Sequence, residues 1–60
     1  MDAIERTIEA ALQVFDSIMA EGIEDEKIID AEVKAAAKKH SVPVKDVREQ
    51  LEIMIQESQP

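Results

Sequence analysis

The chain has 60 residues, with seven basic and fourteen acidic side chains and a formal net charge of −7. A chain of this length forms one domain with a small core, because folding buries only about 60% of the surface that the unfolded chain exposes. It contains no cysteine and one histidine, which excludes disulfide bonds, thiolate metal sites and a zinc site made of histidines. We therefore expect a single domain over residues 1–60, without metal or cofactor, stabilised by helix packing or oligomerisation.

Neither membrane insertion nor catalysis is supported by the residues present. No apolar run is long enough to cross a membrane, and the N-terminus lacks the pattern of a secretory signal, so we expect a cytoplasmic protein. The three serines share one histidine as a possible base, and the single glycine cannot form an oxyanion or phosphate-binding loop. We expect no catalytic residue and predict a non-enzymatic regulatory role.

The first helix is predicted over about residues 2–21, from helical periodicity and its end signals. Asp2 is the expected N-cap, and the only glycine, Gly22, stands where a left-handed C-terminal cap is required. The apolar residues that recur with helical period predict a core face made of Ile4, Ile8, Ala11, Leu12, Phe15, Ile18 and Met19. Ala10 and Val14 lie off this face, so the sequence leaves Val14 exposed for a partner.

Two further helices follow, over about residues 25–40 and 43–57, separated by a break at Pro43. Asp25 is the expected cap of the second helix, whose predicted core face is Ile29, Val33, Ala36, Ala37 and His40. The third helix has a predicted core face of Val44, Val47, Leu51, Met54 and Ile55, while Ile53 points elsewhere. The sequence therefore predicts an all-α three-helix bundle with a partner interface formed by Val14, Ile53, Ile4, Ile8 and Phe15.

The charge is divided between two parts of the chain. Residues 1–32 carry ten acidic and two basic side chains, a net charge of −8. Residues 33–48 carry five basic side chains and one acidic side chain, a net charge of +4. The basic segment therefore has to meet an anion or to cover an acidic neighbour.

The same basic segment contains small and apolar residues at characteristic offsets: Ala37, Ser41, Val42, Val47 and Leu51. With these residues, residues 36–51 resemble the helix-turn-helix of bacterial repressors. That motif has a small residue in its first helix, a turn residue four positions later that is usually glycine, and buried aliphatic residues after the turn. Ser41 replaces the glycine, so a left-handed turn conformation is strained at this position.

The resemblance implies that the third helix enters the major groove of DNA, while the second helix crosses the DNA backbone. The side chains that it places against DNA are Lys38, Lys39, Val44, Lys45, Arg48 and Glu49. On this hypothesis the protein is a DNA-binding regulator that acts as a homodimer on duplex DNA.

The acidic first helix supports an alternative hypothesis. Its carboxylates repel phosphate but complement a basic protein surface. The protein is then a protein–protein interaction module, such as an inhibitor or an antitoxin-like or phage-type regulator. In that role it docks on a basic partner through the first helix. The sequence leaves both hypotheses open and favours DNA binding, because the motif offsets coincide with the basic segment.

Overall fold

The computed structural model describes residues 2–59, which contain three helices: α1 (Ala3–Glu21), α2 (Glu26–His40) and α3 (Val44–Ser58). Every helix packs against the other two, so the predicted three-helix bundle is confirmed for these residues. Each helix begins one residue later than the sequence predicts, because the preceding residue is its N-cap. None of the helices in this range is long and apolar enough to cross a membrane.

Short-range hydrogen bonds fix where the first two helices begin and where α1 ends. A carboxylate oxygen of Asp2 accepts a 2.8 Å hydrogen bond from the Glu5 amide, and Asp25 accepts one of 2.8 Å from the Lys27 amide. Gly22 adopts a left-handed conformation with φ of 66°, which glycine tolerates without the steric cost of a Cβ atom. The three predicted caps are therefore confirmed.

The core is built mainly from small side chains. The buried apolar residues are Ala10, Ala11, Val14, Ile18, Val33, Ala36, Ala37, Val42, Val47 and Leu51. Thr7 is also buried, and its hydroxyl donates a 2.8 Å hydrogen bond to the Ala3 carbonyl. The side chains of α1 and α2 that face each other are mostly alanine and valine. Small side chains at a helix contact allow the helix axes to lie close together.

The predicted core face of α1 is wrong in part. Val14, expected to be exposed, is only 1% exposed, and Ala10 is fully buried. Ile4 and Met19, expected in the core, are 69% and 54% exposed. The apolar residues of α1 cover an arc wider than two neighbouring helices can bury. Tertiary packing selects the side of that arc with the smaller residues, and bulky residues on the other side remain exposed.

The predicted faces of α2 and α3 are closer to the structure. Val44 is exposed at the start of α3, although the sequence placed it in the core. Ile29 and His40 are partly buried, and the His40 ring nitrogen Nε2 lies 3.1 Å from the Gln13 side-chain oxygen. The ends of these two helices therefore reach beyond the central core, which is formed by their middle turns.

Ser41 joins α2 to α3 in a left-handed conformation, with φ of 57° and ψ of 48°. It is the only non-glycine residue with positive φ within residues 2–59. Because a Cβ atom in this region costs roughly 1–2 kcal/mol, we expect Ser41→Gly to raise the free energy of unfolding by up to about 1 kcal/mol. Urea denaturation followed by circular dichroism measures this change.

The matched control is Ser17→Gly, the same substitution inside α1. There the glycine only loosens a helix, and we expect a loss of roughly 0.5 kcal/mol. Opposite signs for the two variants support the strain at Ser41, whereas a destabilised Ser41→Gly variant contradicts it.

Candidate interaction surfaces

Two shallow depressions lie between α1 and α3. The first is lined by Ala3, Ile4, Thr7, Pro43, Asp46, Glu49 and Gln50. The second is lined by Leu12, Phe15, Met54, Glu57 and Ser58. Early residues of α1 thus face early residues of α3, and later residues face later ones, so the two helices run side by side in the same direction.

Exposed apolar side chains connect the two depressions. Ile8 lies one helical turn from both Ile4 and Leu12, so these three residues share one face of α1. Ile53 lies between the Gln50 and Glu57 turns of α3 and is exposed on that helix. Ile8 is 37% exposed and Leu12 is 45% exposed, so this face is open to solvent. We call the surface formed by these residues and the two depressions the α1–α3 groove.

Acidic side chains follow both edges of the α1–α3 groove. On α1, three exposed acids come directly after groove residues, little more than a quarter turn further around the helix: Glu5, Glu9 and Asp16. On α3, the exposed acids Asp46 and Glu49 line the first depression, and Glu57 lines the second. No lysine or arginine lines either depression among residues 2–59. The groove therefore combines apolar side chains, mainly from α1, with acidic side chains at its edges.

Only some residues of the predicted partner interface lie together on the surface. Ile4, Ile8 and Ile53 are exposed, and Phe15 lines the groove while half-buried. Val14 is a core residue in the structure and cannot contribute to this surface. The sequence interpretation assigned Leu12 to the core, but Leu12 is exposed and lines the groove, whereas Met54 lines the groove and also packs against the core as predicted. The excess of bulky apolar residues on α1 is the signal in the sequence that points to Leu12.

The second candidate surface is the corner between α2 and α3. The Val42 amide donates a 3.0 Å hydrogen bond to the Ala37 carbonyl, across the left-handed Ser41. Ala37, Val42 and Val47 are buried, whereas Lys38, Lys39, Val44, Lys45 and Glu49 are exposed around them. The corner is compact, and five of the six residues expected to contact DNA lie on its surface.

The sixth residue, Arg48, is engaged within the bundle. Its Nη2 atom donates a 2.8 Å hydrogen bond to Glu26 Oε2, and its Nε atom lies 3.5 Å from Glu52 Oε1. The hydrogen bond to Glu26 and the charges of both acids raise the pKa of Arg48 above its ordinary value. Arginine is charged at physiological pH in any case, so these contacts fix the position of the side chain and not its charge state. Since both acids are largely exposed, the pairs contribute at most about 1 kcal/mol to stability.

These ion pairs reduce the positive charge that the corner offers to an anion. A second basic residue, Lys34, pairs with Asp30 at 3.0 Å. Within residues 2–59, the basic side chains of the segment 33–48 that have no ion pair are Lys38, Lys39 and Lys45. The net charge of +4 that the sequence assigns to this segment is thus partly offset by acids of α2 and α3.

Comparison with known proteins adds no relative. No protein-family model, no curated protein and no solved structure matches the chain. Within the residues that the structure describes, no group of three or more His, Cys, Asp or Glu is arranged to hold a metal ion.

Proposed function

We propose that the protein is a non-enzymatic interaction module that binds a basic surface of a partner protein through α1. The observation that carries the proposal is the exposed apolar face of α1 with acids along its edge. Ile4, Ile8 and Leu12 supply apolar area, and the neighbouring Glu5 and Glu9 supply negative charge. Exposed apolar surface rimmed by charge is typical of protein interaction sites. A regulator of this kind acts in the cytoplasm.

Charge also favours a basic protein over a nucleic acid. The chain has a net charge of −7, and DNA binding depends on basic residues that neutralise phosphates. Arg48 is held by Glu26 and Glu52, so the corner would meet DNA mainly with three lysines. Ile8 and Leu12 gain no apolar contacts from a phosphate backbone. Their burial against apolar residues of a partner protein is favourable.

Affinity capture from an extract of the source cells tests the proposal. The first variant neutralises the acids beside the groove: Glu5→Gln, Glu9→Gln and Asp16→Asn. We expect the wild type to retain a basic protein that this variant loses, because electrostatic complementarity sets both encounter rate and specificity. Retained proteins are identified by mass spectrometry, with and without nuclease treatment.

Two further variants serve as controls. Glu21→Gln, Glu24→Gln and Glu32→Gln change the net charge equally but lie outside the groove. Lys38→Gln, Lys39→Gln and Lys45→Gln remove the charge of the corner. Both controls should retain the basic protein after nuclease treatment. The proposal is rejected if the lysine variant or nuclease treatment abolishes capture while the variant of Glu5, Glu9 and Asp16 still retains the protein.

A second candidate function, which we propose on the geometry of the corner, is a homodimeric DNA-binding regulator. The left-handed Ser41 and the buried Ala37, Val42 and Val47 are the observations in its favour. The dimer would use Ile4, Ile8, Phe15 and Ile53, and α3 would enter the major groove. Fluorescence anisotropy on mixed-sequence duplex DNA at low salt distinguishes the two functions. Binding that weakens steeply with salt supports this candidate, and no binding at low salt rejects it.

A further inference from the structure

The α1–α3 groove has the length of a short helix. Ile4 lines the first depression and Phe15 lines the second, and these two residues are eleven positions apart in α1, which corresponds to roughly 16 Å along its axis. The exposed apolar residues recur along that length, and α3 forms the other side. A partner helix segment of about twelve residues would fill this length.

The groove lies between two helices that run side by side, and such a position can receive a third helix. Side chains of one helix pack into the space between those of two neighbours, and an amphipathic helix laid in an apolar groove is a recurring mode of recognition. Residues 2–59 contain no β-strand, so they offer no strand edge to which an extended peptide could add. A helix is therefore the element that fits between α1 and α3.

Charge decides which helix the groove accepts. Both edges are acidic, with Glu5, Glu9 and Asp16 on one side and Asp46, Glu49 and Glu57 on the other. A second copy of the chain seated on this surface would bring like charges together, which disfavours a homodimer. A helix with lysine and arginine on its flanks would place opposite charges at both edges while its apolar side covers the groove.

We propose that the α1–α3 groove binds a cationic amphipathic helix of a partner protein. This inference rests on the proposed function and names the element of the basic partner that the module recognises. Apolar residues spaced i, i+3, i+4 and i+7 on the partner contact Ile4, Ile8, Leu12 and Ile53. Basic residues beside them lie against the acids at the two edges. The three lysines of the corner, Lys38, Lys39 and Lys45, have no role in this contact.

A synthetic peptide is the probe. It has about fifteen residues, contains only leucine and lysine, and carries leucine at helical spacing along one side. The control peptide has the same composition in an order that distributes leucine around the helix. Isothermal titration calorimetry measures both affinities. We expect the amphipathic peptide to bind at least about tenfold more tightly, because only it can place its apolar side in the groove.

Protein variants locate the binding site. Ile8→Gln combined with Leu12→Gln should weaken binding of the amphipathic peptide by about tenfold or more. Ile28→Gln is the matched control, because Ile28 is 49% exposed on the outer side of α2 and should leave affinity unchanged. Circular dichroism verifies that each variant remains helical.

Three outcomes overturn the inference. They are equal affinity for the two peptides, wild-type affinity in the Ile8 and Leu12 variant, and light scattering that shows a dimer abolished by that variant. The last result would identify a second copy as the occupant. If capture of a basic protein still depends on the acids of α1 while the peptide does not bind, the proposed function stands and only the helical partner is rejected.

Discussion

Leu51→Ala is expected to remove much of the stability of the bundle. Leu51 is 1% exposed and is among the largest fully buried side chains of the described residues. Truncation of a buried leucine costs about 2–5 kcal/mol, since it removes apolar contacts and leaves a cavity. A domain of this size has a free energy of unfolding of only about 3–9 kcal/mol. The variant should therefore unfold at much lower urea concentration and be partly unfolded near body temperature.

The control for this prediction is Leu12→Ala. The residue type and the substitution are the same, but Leu12 is 45% exposed on the groove. We expect a loss of about 1 kcal/mol or less, because about half of this side chain is already exposed to solvent. Urea denaturation followed by circular dichroism compares the two variants. Similar losses at both positions would mean that the groove face of α1 is buried in solution, against the structure.

Ala37→Leu is expected to give the second large effect. Ala37 is 1% exposed, and its carbonyl accepts the hydrogen bond from Val42 that closes the corner. A larger side chain in a packed site forces rotamers and backbone to shift, at a cost of about 1–3 kcal/mol. We therefore expect a lower midpoint of thermal unfolding and a displaced α2–α3 corner. Differential scanning calorimetry measures the first, and amide chemical shifts around Ser41 report the second.

Ala35→Leu is the matched control on the same helix. Ala35 is exposed, and leucine is nearly as good a helix former as alanine. Its stability should remain within about 0.5 kcal/mol of the wild type. If Ala37→Leu leaves the unfolding midpoint unchanged, the packing around Ala37 is looser than the structure shows.

Local signals in the sequence account for the number and the limits of the helices. Asp2, Asp25 and Gly22 act within a few residues of their own positions, through hydrogen bonds and backbone conformation. For that reason the helix bounds agree with the prediction to within one residue. Ser41 adopts the left-handed conformation that the resemblance to a helix-turn-helix associates with this position, where glycine is the usual residue.

The candidate sites were less predictable. The pairing of Arg48 with Glu26 joins residues far apart in the chain, so helical spacing gives no indication of it. It changes the interpretation of the basic segment, because an arginine expected to contact DNA is held by an acid of α2. Val14 illustrates the same limit, since periodicity locates an apolar arc but not the part of it that neighbouring helices cover.

The sequence by itself determined an acidic, cysteine-free bundle of three helices, because caps, turns and helical periodicity depend on residues close together in the chain. Only the tertiary structure decided which side of α1 is buried. Close packing of α1 against α2 and α3 selects the side that carries Ala10 and Val14. The larger residues Ile4, Ile8 and Leu12 are left on the surface, beside acids, where they form the groove that we propose as the binding site.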